Sequence, residues 1–280
     1  MIFIALAVIC SVSVSVLLKL ALRSGLDLGT MILWNYVAAG TLCVMTLRPS
    51  MDPAHVHPLA LALGVLLPGL FFVMGRAVGT AGIVRADMAQ RLSLLLSSIA
   101  AFALFHDQPT AWKLIGLALG VAAMVGILAR PRGARGAGGG VGWLVAVWAG
   151  YAAVDVLLKR LAIEGANFPA TLTLAFGVAL ACMVAAQARR KDRAVTLRVP
   201  DAAAGLALGL LNFGNIDFYI RAHQSLAGSP ALVFAIMNIG VVLLAALVGI
   251  GAFGERTTPG NRASIAMACV AIAVLARAIF

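Results

Sequence analysis

Apolar stretches long enough to cross a bilayer follow one another along the whole chain, at about 2–22, 30–47, 58–78, 84–105, 111–130, 141–162, 168–188, 202–222, 230–253 and 260–279. A helix crosses the hydrocarbon core with roughly 17–25 mostly apolar residues. Inside lipid every backbone N–H and C=O must be paired within the protein, so runs of this length can only be helices. Composition agrees: 62% of residues are hydrophobic, 11% are charged and mean hydropathy is +1.04. A soluble domain is nearer half apolar and a quarter charged. The expected fold class is an all-α polytopic membrane protein with ten transmembrane helices. Met1–Leu18 lacks a basic leader and a clear small-x-small cleavage site, so it reads as a span and not as a signal peptide.

The first run ends in Val16-Leu17-Leu18-Lys19, and the same four residues return as Val156-Leu157-Leu158-Lys159. Further matches follow in order. Leu61, Gly64, Gly69, Arg76 and Ala77 match Leu206, Gly209, Gly214, Arg221 and Ala222 at an offset of 145. Gln90 aligns with Asn238, Phe105 with Phe253 and Asp107 with Glu255 at 148. An offset that grows from 140 through 145 to 148 and never reverses is that of a doubled sequence whose second copy has longer loops. The expected division is a first five-helix repeat at 1–132, a Gly/Arg-rich linker at 133–140 and a second repeat at 141–280. Five helices is an odd number, so the second copy must enter the membrane from the opposite side. That is an inverted-topology repeat, common in secondary transporters, with the site at the repeat interface near the midplane.

The net charge of +11 is not a nucleic-acid signature in such a chain. Arg130, Arg132, Arg135, Arg189, Arg190, Lys191, Arg193 and Arg198 fall in two short loops, where bases set topology and face anionic lipid. Cys10, Cys43, Cys182 and Cys269 all lie inside apolar runs, with neither disulfide-framework nor metal spacing. His55 and His57 share a loop with Asp52 but lack a further ligand, so no metal site is expected there.

Charged residues inside spans are costly and therefore candidates for function. Three acids have a base four residues on: Asp87 with Arg91, Asp155 with Lys159, and Asp217 with Arg221. Acid before base at i,i+4 is the favourable helical order, so each pair can also neutralise itself. Lys19 has Ser15 where the second copy has Asp155. It must therefore find a distant carboxylate, snorkel to the headgroups or meet a substrate. Asp155, an acid in one copy only, is the candidate for proton coupling. Asn212, Asn215 and Asp217 put a polar stripe on the eighth span, and Gln90 and Asn238 sit at equivalent depth in the fourth and ninth. Asn35, with Tyr36 beside it, Tyr151 and His223 are further polar candidates. Amides at such positions bind a substrate or bond a neighbouring helix. Gly116-x-x-x-Gly120 matches Ser264-x-x-x-Ala268 at 148, and Gly75-x-x-x-Gly79 and Gly205-x-x-x-Gly209 have the same small-xxx-small form, which lets helices approach closely.

Two inverted five-helix copies, each with a lysine ending its first helix and an acid before its fifth, resemble the EamA type of the drug/metabolite transporter superfamily. The motif that carries the resemblance is Phe253-Gly254-Glu255-Arg256-Thr257, with His106-Asp107-Gln108-Pro109-Thr110 in the first half, where Asp stands for the usual Gly-Glu. The resemblance spans the whole chain. It implies an alternating-access carrier whose cavity is lined by the first, third, fourth, sixth, eighth and ninth helices, among which Lys19, Gln90, Asp155, Asn215, Asp217 and Asn238 fall. It also implies cytoplasmic termini, whereas the basic loops favour external ones.

The function expected is secondary transport of a small polar metabolite, such as an amino acid, with proton coupling as a candidate feature and no cofactor. The bacterial inner membrane is the expected location. The bilayer and a small-molecule substrate are the expected partners, and a homodimer is a further candidate. A small-multidrug-resistance-like exporter of organic cations is the alternative, although such exporters use a glutamate in the first helix and none is present. An intramembrane enzyme is a remote alternative: the chain has no Gly-x-Ser-x-Gly elbow and no His-Glu-x-x-His. A purely structural subunit would show no ligand-dependent stabilisation.

Overall fold

The computed structural model describes residues 2–49, 58–93, 96, 111–128, 140–164, 166–189, 198–225, 230–255 and 257–277. Among these residues it is all-helical. The helices are α1 (Ile2–Arg23), α2 (Leu28–Leu47), α3 (Leu59–Ala81), α4 (Ile83–Arg91), α5 (Ala111–Leu128), α6 (Gly140–Ile163), α7 (Phe168–Ala188), α8 (Val199–Ser225), α9 (Pro230–Gly251) and α10 (Pro259–Arg277). Six of them, α1, α2, α3, α6, α7 and α8, are long and apolar enough by length and composition to cross a membrane. Large apolar side chains such as Val44, Met45, Val65, Val125, Val184 and Leu247 face outward. A surface of this kind suits lipid, and the chain is a multi-pass membrane protein. Of the fourth expected span, 84–105, residues 94–95 and 97–105 lie outside the described residues. Its described helix runs to Arg91 with Leu92 as C-cap, and it carries Arg85, Asp87 and Arg91 within nine residues.

Local chemistry sets the helix ends. The Asp27 side chain accepts from the Thr30 N–H to cap α2, and Asn167 accepts from the Ala170 N–H to cap α7. Such caps satisfy one of the orphan donors of a helix start. The preceding turns close alike, Leu26 N–H to Ala21 O and Ala166 N–H to Leu161 O, both at 3.0 Å. Each residue of the second turn stands 140 positions after its counterpart, the offset of the two lysines.

Contacts between the two halves of the chain also come in matched pairs. α2 packs on α8 and α3 on α7; α1 packs on α8 and α3 on α6; α1 packs on α9 and α4 on α6. The match reaches single residues. A Cβ added at Gly64 would lie 2.7 Å from Ala175 O and 2.6 Å from Val178 Cβ, while one added at Gly209 would lie 2.5 Å from Asn35 O and 2.6 Å from Ala38 Cβ. Gly209 is Gly64 shifted by 145, and Ala175 and Val178 are Asn35 and Ala38 shifted by 140. Likewise Trp148 Nε1 donates to Leu92 O, and its counterpart Val8 packs on Gly240, the counterpart of Leu92. α5 and α10 pack on each other, as their small residues led one to expect, with Ala123 and Ala268 fully buried. Gly205 and Gly209 serve the α2–α8 contact, where Gly205 meets Met31 and Trp34.

Direction along the bundle follows from neighbours. Lys19, near the end of α1, pairs with Glu255, whose carboxylate also holds the start of α4. Gly140, at the start of α6, lies beside Thr80 and Ala81, which immediately precede α4. α6 therefore begins at the face where α1 ends.

Candidate functional site

Serines 11 and 15 lie one turn apart on the buried face of α1, and α4 runs alongside it. Residues spaced by four share a helix face, so two such helices can bond at one-turn intervals. They do. Arg91 Nη2 donates to Ser11 Oγ at 2.7 Å, and Ser15 Oγ donates to Asp87 Oδ1 at 3.0 Å. One turn further, Lys19 of α1 and the Ile83 N–H of α4 both bond the Glu255 carboxylate. The pairs 11/91, 15/87 and 19/83 form an antiparallel ladder whose last rung is completed by a side chain from the other half of the chain.

Asp87 and Arg91, the acid and base four residues apart, stand within electrostatic reach of each other. Antiparallel packing adds a serine of α1 to each head group, so the pair is also tied to a second helix. Arg91 Nη1 also donates to Asn238 Oδ1 of α9 at 3.4 Å. Asp87, Asp155, Tyr151 and Tyr219 all lie within electrostatic reach of its guanidinium. Asp155 accepts from Ser93 Oγ at 3.0 Å. Tyr36 in turn lies within reach of Tyr151 and stacks edge-on against Phe71 at 6.0 Å. The chain has 3 tyrosines in all, and they gather around this one hub.

The hub is not closed. Asp87 is 1% exposed, yet among the described residues its Oδ2 has no hydrogen-bond partner, nor has Arg91 Nε; Asn215 Oδ1, Asn35 Nδ2 and Tyr36 OH are buried in the same condition. Buried polar atoms are nearly always paired, and each exception asks for an explanation. Here a free acceptor and a free donor are carried by residues one turn apart on one helix, about 5–6 Å between Cβ atoms.

Other candidate residues lie elsewhere. Lys19 meets Glu255 and sits 4.7 Å from the Phe253 ring, so its charge is neutralised within the protein. Asn212 donates to Asn35 at 3.4 Å and so joins α8 to α2. Gln90 is half-buried and makes no side-chain hydrogen bond among the described residues. Asp217 and Arg221 form the i,i+4 pair the spacing suggests, at 2.7 Å, but on an exposed flank of α8: the Arg221 side chain is 51% exposed. The Asp217 side chain itself is only 17% exposed. Among the described residues its partner is Arg221 of the same helix, so Asp217→Asn should lower the thermal unfolding midpoint less than Arg91→Met, which removes a side chain that joins three helices. The side chains of Lys159 and His223, and residues Asp52, His55, His57 and Asp107, lie outside the described residues.

Ser11, Ser93, Trp148 and Tyr219 are site-forming residues that spacing alone does not single out, while Glu255, marked by its match to Asp107, proves to bond α1 and α4. The signal available for the first was the i,i+4 repetition of Ser11 and Ser15 in an otherwise apolar helix.

No family model matches the chain. A protein of Haemophilus influenzae, described only as an uncharacterized protein, is 41% identical over 277 residues, which is 95% of this chain and 94% of that protein. At that identity and coverage, the chain belongs to the same family as the Haemophilus influenzae protein.

Proposed function

We propose that the protein is a secondary carrier of a small zwitterionic metabolite, such as an amino acid, working by alternating access in a bacterial inner membrane. In this reading ten membrane helices form two inverted five-helix repeats of the EamA type. The matched inter-half contacts support the repeat, since Gly64 and Gly209 meet the other half at equivalent residues. The inversion is supported by α6 beginning at the face where α1 ends. One observation carries the function: Asp87, buried, and Arg91, partly buried, stand one turn apart where α1, α4, α6, α8 and α9 meet, their Oδ2 and Nε buried and without partners among the described residues. An ammonium group satisfies the first and a carboxylate the second, and an amino acid bears both on a single carbon. A lipophilic cation leaves the arginine unanswered.

The test is thermal unfolding of the purified protein in detergent, with amino acids, sugars, nucleosides and organic cations, followed by flux into proteoliposomes. A ligand at about 100 times its Kd stabilises its protein by about 2.7 kcal/mol. Saturable stabilisation by a zwitterion is expected, abolished by Asp87→Asn. Stabilisation by organic cations alone would move the protein to the multidrug class, and silence across the panel together with no flux would end the carrier reading. For any transported solute, Asp155→Asn should remove the dependence of flux on pH; unchanged dependence would reject Asp155 as the coupling group.

A further inference from the structure

The Glu255 carboxylate, in the turn between α9 and α10, belongs to the second half of the chain, yet among the described residues every group it bonds belongs to the first. Lys19 of α1 donates to Oε1, the Ile83 N–H donates to Oε1 at 2.8 Å, and the Val84 N–H donates to Oε2 at 3.3 Å. Arg85 lies within electrostatic reach. A carboxylate on the first N–H groups of a helix is favoured by hydrogen bonding and by the helix dipole.

The fit around it is close. A Cβ on Gly82 would lie 2.8 Å from the carboxylate and one on Gly249 would lie 3.0 Å from it, so two glycines leave the room the acid fills. Gly82 (φ 92°) and Gly254 (φ 61°) bend the chain on either side in a conformation that side-chain-bearing residues rarely adopt. Phe253 lies under Lys19 and Arg23, 4.7 Å and 5.1 Å from the cations. On the bundle side, Ser15–Asp87 and Ser11–Arg91 are the next two rungs of the same α1–α4 ladder.

Resting on the carrier reading, we infer that Glu255 is an inter-half latch. It closes the face of the bundle that carries the α9–α10 turn, and entry to the Asp87–Arg91 hub from that face requires its release from Lys19 and α4. The latch grips α1 and α4 one turn beyond the residues that hold the hub, so release at the face and loosening of the hub are mechanically joined. Glycine at positions 82 and 249 gives the carboxylate a seat it can leave and re-enter without displacing side chains.

Cys10 supplies the probe. It lies on α1 beside Ser11, with its sulfur 3.4 Å from where a Cβ on Gly214 of α8 would stand, in the seam between the halves. The experiment uses the full chain with Cys43, Cys182 and Cys269 replaced by alanine. Cys10 is labelled with a charged, membrane-impermeant thiosulfonate in right-side-out and in inside-out vesicles.

Hydrogen bonds to charged groups are each worth about a factor of ten in an equilibrium. Glu255→Gln should therefore raise the labelling rate about tenfold, in one vesicle orientation only. Lys19→Met, which leaves the cap on α4 in place, should give a smaller rise on the same side. Unchanged labelling in the folded variants, or an equal rise from both sides, would overturn the latch. Loss of folding in both variants would make the contact a staple of the fold and overturn it too. If labelling responds but no solute of any class is moved, the latch stands and the carrier reading falls. If a solute is moved while labelling stays the same, the latch alone falls.

Discussion

Replacing Arg91 by methionine is expected to cost the protein about 3–5 kcal/mol of stability, the range seen when one partner of a buried charged group is removed. The guanidinium bonds Ser11 and Asn238 and stands within electrostatic reach of Asp87 and Asp155, so it ties α1, α4, α6 and α9 together. Methionine keeps most of the packing volume but leaves the Asp87 carboxylate buried without its nearest cation. Adding Asp87→Asn to Arg91→Met should therefore restore part of the loss. Residues that share one network do not contribute additively, and the double-mutant cycle measures their coupling. Unfolding of the purified variants in detergent is the readout. An Arg91→Met protein as stable as the parent would mean that the hub holds nothing together, and the site argument would fall with it.

The second large effect is expected at two glycines far apart in sequence. A methyl group at Gly209 meets the carbonyl oxygen of Asn35 at 2.5 Å, and one at Gly64 meets that of Ala175 at 2.7 Å. A backbone carbonyl in a packed helix cannot step aside, so the helices must separate. Overpacking costs about 1–3 kcal/mol, and losing close small-residue contacts removes much of what holds helices together in lipid. Gly64→Ala and Gly209→Ala should each destabilise toward the upper end of that range. They should do so by similar amounts and add in the double variant, since the α3–α7 and α2–α8 contacts share no residues. Gly177→Ala is the control: nothing lies within 4 Å of its added Cβ. It should be neutral or stabilising by about 0.5–1 kcal/mol, because alanine is the better helix former. Strongly unequal losses at Gly64 and Gly209 would count against two equivalent halves.

Both predictions rest on contacts between elements distant in sequence, and that is where legibility divides. The apolar runs announced helices, because lipid offers no partner for a free peptide group and length alone then decides. Lys19 and Lys159, and Gly64 and Gly209, carry the proposed doubling by their order and spacing. That Gly205 and Gly209 would make a helix contact was legible too, since a small residue every four positions clears one face. The helix they would meet was not legible.

The hub was half visible. Asp87, Arg91, Tyr151, Asp155 and Asn238 stood out because ionisable and hydrogen-bonding groups are conspicuous in an apolar run. Their partners did not. Ser15 stood out only as the counterpart of Asp155 and Ser11 not at all, until α4 lies against both in antiparallel register. The i,i+4 rule gives the whole partnership of Asp217 and Arg221 among the described residues, but only part of that of Asp87 and Arg91. In a packed interior a neighbouring helix adds hydrogen bonds that spacing along one helix does not record. For the same reason a distant carboxylate was one of three fates legible for Lys19, beside the headgroups and a substrate, but not that Glu255, 236 residues away, would supply it.

Sequence alone thus determined the helical, membrane-embedded character of this protein and the polar residues that had to be accounted for, and its ordered matches are the ground for proposing a duplication. Those are consequences of local hydrogen-bond satisfaction and of periodicity, which a linear string records. Tertiary structure decided which polar atoms found partners, which were left over, and which acid bound the two halves at one face. Those outcomes depend on the crossing and register of helices that are strangers in sequence, and the burial that makes them consequential exists only after the bundle has formed.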